Sequence, residues 1–120
     1  MDSFREQQIE ALEMAIDYMD KLIPSMEEVV GEIKGEMKED TIDFLHQIID
    51  GLNFMIETYN ATEAVVCEDK PLINREDFEE VIGRLSDGFS KKDYVAIADE
   101  LEKSIVPFLK NFRDAAKKVK

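Results

Sequence analysis

A regular stripe of apolar residues constrains the fold of this chain more than any other sequence feature. Its members follow one another at alternating steps of three and four residues: Ile9, Leu12, Ile16, Met19, Ile23, Met26, Val30, Ile33 and Met37. This heptad spacing keeps one face of a helix turned towards a partner helix. Acidic residues fill many of the positions in between. The pattern predicts a helix with one buried face and one charged, exposed face.

The composition agrees with an all-α fold in a single domain over residues 1–120. Only 5 Gly and 3 Pro occur in 120 residues, and 44% of the residues are hydrophobic. This composition favours helices and excludes a disordered acidic tail. The only cysteine, Cys67, cannot form an internal disulfide. A reducing cytoplasm is therefore the expected location.

We predict an antiparallel bundle of four to five helices, with breaks or kinks at Pro24 and Pro107. The predicted helices span residues 4–23, 26–37, 41–66, 75–87 and 91–118. A polar N-cap residue followed three residues later by an acid marks a helix start, because it satisfies free backbone N–H groups. The candidate pairs are Ser3 with Glu6, Ser25 with Glu28, Asp40 with Asp43, Asn74 with Asp77, and Ser90 with Asp93.

Glycine and proline mark the predicted helix ends. Gly35 is expected to weaken or end the second helix. Residues 67–73 are expected to connect the third and fourth helices, with Pro71 as the residue that stops helix formation. Gly88 is placed to end the fourth helix in a left-handed conformation. Pro107 should kink the last helix, because it leaves the carbonyl of Lys103 without its helical donor.

Pro24 leaves two interpretations open. Proline removes a backbone donor and disfavours a helical conformation in the residue before it. The apolar stripe nevertheless keeps its phase across Pro24, so one kinked helix and two helices meeting at a corner both fit. The Ser25–Glu28 pair favours a new helix. A continuous helix would extend beyond its neighbour, expose Ile9 and Leu12, and promote a homodimer.

The charge is concentrated in the first half of the chain. The net charge is −13. Residues 1–69 hold 18 acids and 4 bases, or −14, and residues 70–120 hold 10 acids and 11 bases, or +1. The acidic half argues against binding to nucleic acid or anionic membranes, both of which need clustered Lys and Arg. A solvated surface explains such charge most simply, and a docking surface for a basic protein or an imitation of DNA is the sharper alternative.

The motifs of catalytic and metal sites are missing from the sequence. It has no glycine-rich phosphate loop, no nucleophile elbow, no paired-cysteine zinc motif and no EF-hand loop. His46 is the only histidine, and Asp43 lies three residues before it. A di-iron site in a helical bundle uses two Glu-x-x-His pairs and two further glutamates, so a single Asp–His pair is not enough. We therefore predict no catalytic, cofactor-binding or metal-binding residues.

Two segments resemble parts of small helical proteins from bacteria. The longer one is Asp93-Tyr-Val-Ala-Ile-Ala-Asp-Glu-Leu-Glu-Lys-Ser-Ile-Val-Pro-Phe-Leu109, and the shorter is Leu52-Asn-Phe-Met-Ile56. The resemblance implies a bacterial cytosolic protein and supplies no functional residues.

The leading functional hypothesis is a non-enzymatic interaction module that self-associates, as a homodimer, or binds another protein, possibly a basic one. Nucleic acid and membrane are not expected partners, since the acidic first half repels phosphates and anionic lipids and no window of about 18 apolar residues could span a bilayer. The alternative is a metal- or small-ligand-binding bundle that uses carboxylates and His46.

Overall fold

The computed structural model describes residues 3–67 and 72–119, and these residues form an all-α bundle without strands. Its helices are α1 (Ser3–Lys34), α2 (Thr41–Val66), α3 (Arg75–Lys91) and α4 (94–118). Helix α4 joins the α-helical segments Tyr94–Glu100 and Val106–Lys118 through a π-helical segment, Leu101–Ile105. The all-α prediction is confirmed, and the bounds of α2 match those predicted. Pro71, the predicted stop, lies outside the described residues.

Contacts near both ends of α1 show that α1 and α2 form an antiparallel hairpin. At one end Gln8 Nε2 donates to the carbonyl of Ala61 at 2.9 Å. At the other end Thr41 Oγ1 donates to the carboxylate of Glu32 at 2.8 Å. The first two helices therefore lie side by side along nearly their full lengths.

The last two helices complete an up-down-up-down bundle. Helix α3 runs antiparallel to α2, since Arg75 pairs with Glu63 at the start of α3. Helix α4 runs antiparallel to α1, because Arg113 pairs with Asp20 at 3.0 Å and Asp99 pairs with Lys34 at the other end. The bundle measures 52 × 27 × 18 Å.

Helix α1 continues through Pro24, so the prediction of separate helices over 4–23 and 26–37 is wrong. The side chain of Pro24 is exposed, whereas its neighbours Ile23 and Met26 are buried. The hydrogen bond that Pro24 cannot make therefore lies on the solvent side, where water can replace it. A break here would instead expose two core residues. The helix ends at Lys34, immediately before Gly35.

The predicted overhang of a continuous first helix is also wrong. Leu12 is 1% exposed and Ile9 is half-buried. Two features account for this: α1 ends three residues earlier than predicted, and Gln8 still reaches Ala61 of α2. The first half of α1 thus lies within the bundle, and Ile9 and Leu12 do not form an exposed stripe that could join two copies.

The most buried face of α1 is rotated from the predicted stripe. It follows alternating steps of four and three residues: Gln8, Leu12, Ala15, Met19, Leu22, Met26, Val29 and Ile33. Six of the nine predicted members are buried, but Ile9 and Ile16 are only half-buried and Met37 is 42% exposed. Helix α1 packs between α2 and α4, so its buried face is centred between two partners. The corresponding stripe in α2 runs from Thr41 to Val66.

The junction between α3 and α4 differs from the prediction. Helix α3 continues past Gly88 to Lys91, and Lys92 supplies the left-handed residue with φ 57°. Asp93 then caps α4 by accepting from the Ala96 N–H at 3.2 Å. Gly88 is needed for packing instead, because a Cβ there would lie 2.8 Å from Ile97 Cγ1. The predicted cap at Asn74 is confirmed by its 3.1 Å contact with the Asp77 N–H.

The irregularity at Pro107 takes the form of a π-helical segment. The N–H of Val106 donates to the carbonyl of Leu101, five residues back. Pro107 follows at the start of the next α-helical segment, where its missing N–H is tolerated best. The π-helical segment ends at Ile105, two residues before the proline, and α4 remains continuous.

Candidate functional site

The residues of the metal-site hypothesis are not brought together. The exposed ring of His46 stacks on Phe89 of α3, with ring centroids 5.7 Å apart. Across residues 3–67 and 72–119, no group of three His, Cys, Asp or Glu side chains is placed to hold a metal ion. His46 thus contributes an aromatic contact between α2 and α3.

Cys67 contacts a buried tyrosine. The Tyr59 hydroxyl lies 3.2 Å from Cys67 Sγ, and the Tyr59 ring packs edge-on against Phe108 and Phe112, each at 5.3 Å. Burial, followed by the Cys67 contact, raises the pKa of Tyr59 far above its ordinary value. The phenol therefore stays neutral and serves the core.

The most distinctive surface feature is an apolar cluster on the α1–α2 hairpin, which we call the hairpin patch. It consists of Met14, Tyr18 and Phe54, which are 71%, 37% and 50% exposed. The Tyr18 and Phe54 rings meet edge-on at 5.6 Å and bridge the two helices. Large apolar side chains gathered on one exposed surface are typical of binding sites.

Gly51 permits this arrangement. It is buried in α2, and a Cβ at this position would lie 2.6 Å from the Tyr18 hydroxyl oxygen and 3.1 Å from Leu22 Cδ1. Any larger residue would push Tyr18 outwards. The glycine therefore lets Tyr18 lie across α2 beside Phe54.

Four carboxylates flank the hairpin patch symmetrically. Glu10 and Asp17 lie four residues before and three residues after Met14. Asp50 and Glu57 have the same spacing around Phe54, and these spacings place side chains on one helix face. All four acids are exposed. None of them pairs with a cation among the described residues, so they are free to bind basic groups.

A groove of about 580 Å³ lies between α1 and α4, beside the π-helical segment. Its floor is formed by small apolar residues, Val30, Gly31, Val106 and Pro107. Its rim carries both signs of charge: Glu27, Lys34, Glu102 and Lys110. The groove therefore favours neither a cationic nor an anionic ligand.

An ion pair closes one end of that groove. Lys34 Nζ lies 2.7 Å from Asp99 and 3.3 Å from Glu102. The hydrogen bond between Lys34 and Asp99 raises the pKa of Lys34 and lowers the pKa of Asp99. Both groups stay charged across the physiological range.

A second concavity, which we call the α3 cleft, lies where α3 meets α2 and α4. Its volume is about 260 Å³. The apolar walls are Ile56, Tyr59, Ile73, Phe78, Ile82 and Phe108. Asn60, Arg75 and Glu79 supply its polar groups. It differs from the α1–α4 groove in being lined mainly by large apolar and aromatic side chains.

Comparison with protein families identifies the chain. A family model described as "Domain of unknown function (DUF8042)" matches residues 10–115. The chain belongs to the DUF8042 family. The matched range includes the hairpin patch, the α1–α4 groove and the α3 cleft. Among curated proteins and among solved structures, no match to the chain was found.

Membrane insertion through a helix finds no support in the part of this DUF8042 chain that the structure describes. None of its helices combines the length and the apolar character that crossing a bilayer requires.

Sequence reasoning missed the hairpin patch, although a signal was present. Met14 and Tyr18 lie four residues apart and off the buried stripe, and Phe54 lies off the buried face of α2. Large apolar residues outside the buried period are the signal. Gly51, which holds Tyr18 beside Phe54, gains its meaning only from the tertiary contact.

Proposed function

We propose that this protein is a non-enzymatic binding module whose hairpin patch binds a basic, amphipathic segment of another protein. One observation carries the proposal: three exposed apolar side chains are flanked by four carboxylates that pair with no described cation. A partner with apolar residues along one face and Lys or Arg beside them complements both parts of this surface.

The side-chain types of the patch support a protein partner. Aromatic residues and Met are enriched in protein interfaces, and Tyr is prominent among the residues that contribute most binding energy. The flexible thioether of Met14 can adapt to different apolar partners. The surrounding acids would accelerate association with a basic segment and reject acidic ones.

A peptide titration tests this proposal. The probe is a synthetic helical peptide with Leu along one face and Lys and Arg along the other, and binding is measured by isothermal titration calorimetry at low and high salt. We expect binding that weakens as salt screens the carboxylates. Phe54→Glu should weaken binding at least about tenfold, because it places a charge in the apolar centre.

A matched variant distinguishes the patch from general acidity. Val95 on α4 is 55% exposed, and Val95→Glu adds the same charge outside the α1–α2 hairpin. It should bind the peptide like the unmodified protein. If both variants bind equally well, the peptide recognises only net charge and the proposed docking site is wrong.

A homodimer is the second candidate, and one observation favours it. The exposed lysines Lys110, Lys117 and Lys118 near the end of α4 form no ion pair with a described residue, so they could meet the acidic hairpin of a second copy. A two-fold arrangement would form this contact twice. Light scattering tests it: a mass of 13.8 kDa at high concentration and moderate salt would rule it out.

A further inference from the structure

We propose that the α3 cleft binds a small, neutral aromatic molecule. This site is separate from the hairpin patch and adds a ligand to the proposed protein-binding function.

The cleft exists because α3 buries only a small part of its surface against α2 and α4. Only Val81, Leu85 and Gly88 are buried among the 17 residues of α3. Phe78 and Ile82, which face the cleft, remain half-exposed. A volume of 260 Å³ equals that of roughly nine water molecules. This lies just below the range for drug-sized ligands, so the cleft suits a small one.

The rings of the cleft favour an aromatic ligand. Phe78 and Phe108 are tilted by 52° with centroids 4.9 Å apart, and Tyr59 meets Phe108 edge-on. The cleft therefore presents ring faces and ring edges in different directions. A flat aromatic molecule can make offset and edge-to-face contacts with both kinds of surface.

The charges at the cleft favour a neutral ligand. The guanidinium of Arg75 pairs with Glu63 at 2.5 Å, and Glu79 lies one helical turn after Arg75. The charged groups that line the cleft are one guanidinium and one carboxylate. An anionic ligand would meet the carboxylate of Glu79, and a cationic ligand would meet the guanidinium of Arg75. The amide of Asn60 offers both a donor and an acceptor, which suits a ring that carries one polar N–H.

Three related probes test the proposal. Indole is neutral and has roughly nine non-hydrogen atoms, which matches the cleft volume; indole-3-propionate is anionic and tryptamine is cationic. The chain contains no Trp, so indole fluorescence reports on the probe alone. We expect indole to bind, and both charged analogues to bind at least about fivefold more weakly because each meets a like charge. Equal or tighter binding of a charged analogue, or no binding of indole, would overturn the proposal.

Filling the cleft with a larger side chain should weaken the binding of indole. Ile82→Phe enlarges a half-buried side chain that lines the cleft and should reduce indole affinity at least about tenfold. The matched control is Ile16→Phe, the same change at a half-buried isoleucine of α1 outside the cleft. Circular dichroism verifies that both variants fold. Indole binding that Ile82→Phe leaves unchanged would place the site elsewhere.

A charge variant tests the site without filling it. Glu79 is exposed, so Glu79→Gln should leave the fold intact. It should raise the affinity for indole-3-propionate relative to tryptamine, and an unchanged ratio would contradict the assignment. Phe54→Glu, in the hairpin patch, should leave indole binding unchanged. The two proposals can therefore fail separately.

Discussion

The α1–α2 hairpin and α3 are both amphipathic, yet they bury very different shares of their length. Ten residues are buried in α1 and ten in α2, spread from one end of each helix to the other. Helix α3 buries three residues, Val81, Leu85 and Gly88, and none in its first six residues. The hairpin is therefore held along its whole length, whereas the buried contacts of α3 are confined to residues 81–88.

This difference separates a scaffold from an element that can open locally. Regions with few buried apolar contacts open at lower free energies than the global unfolding. The hairpin carries the hairpin patch on a rigid support, and α3 covers a cleft without filling it.

Truncating the hairpin core should have the largest effect. Leu52 is 2% exposed, and Leu52→Ala should lower the free energy of unfolding by about 2–5 kcal/mol through lost burial and a new cavity. Chemical denaturation measures the change. The matched substitution Leu85→Ala should instead speed hydrogen exchange of the α3 amides more than that of the hairpin. If both variants affect all helices equally, α3 and the hairpin unfold as one unit.

Replacing each of two glycines of α3 by alanine should change the stability of the protein in opposite directions. At Gly88 a Cβ would lie 2.8 Å from Ile97 Cγ1, so Gly88→Ala should destabilise the protein by about 1–3 kcal/mol through overpacking. At Gly83 a Cβ would meet nothing within 4 Å, and Gly83→Ala should stabilise α3 by up to about 1 kcal/mol. Denaturation with hydrogen exchange of α3 measures both. The same sign for both variants would show that α3 is not anchored at Gly88.

Alkaline pH should weaken the core contact between α2 and α4. The pKa of Tyr59 is raised above its ordinary value of 10.0 by burial. The unfolded chain therefore loses this proton first, and stability falls as pH rises above 10. Tyr59→Phe should flatten this fall by up to about 1.4 kcal/mol per pH unit. If Tyr59→Phe leaves the slope between pH 9 and 11 unchanged, the pKa of Tyr59 is not raised in the folded protein.

Removing the Lys34–Asp99 ion pair should have the smallest effect. Both side chains are well exposed, at 32% and 43%, and exposed pairs contribute little. Asp99→Asn should leave the denaturation midpoint unchanged at neutral pH. Because the pKa of Asp99 is lowered from 3.8, any contribution of the pair is present above that pH and is lost as pH falls further. A clear loss of stability at neutral pH would mean that the pair anchors α4 to α1.

The parts of the fold that sequence could predict are those set by local pattern. The bounds of α2 followed from apolar period and flanking breakers, and the cap at Asn74 from residue type. The predicted break at Pro24 is wrong because the local cost of a proline inside a helix is outweighed by the burial of Ile23 and Met26, which only the assembled bundle provides. The prediction that Gly88 ends a helix is wrong for a related reason. Gly88 is in close contact with Ile97, and the local sequence cannot distinguish a glycine needed for packing from one at a helix end.

The candidate sites depend on tertiary structure to a greater degree. The hairpin patch requires Tyr18 of α1 to reach Phe54 of α2, which Gly51 allows. The α3 cleft depends on how deeply α3 packs, and no spacing in residues 75–91 encodes that depth. Sequence could predict the acidic character of the hairpin surface and could not predict where its apolar centre lies.

The alternating steps of the buried stripe in α1 have a consequence for the shape and length of the hairpin. A stripe that repeats every seven residues drifts by about 20° per repeat on a straight α-helix, and between Gln8 and Ile33 the drift reaches roughly 70°. The two helices must therefore coil around each other with a left-handed twist to keep their stripes in contact. Insertions or deletions in the hairpin should be tolerated only as seven residues at a time, made in α1 and α2 together.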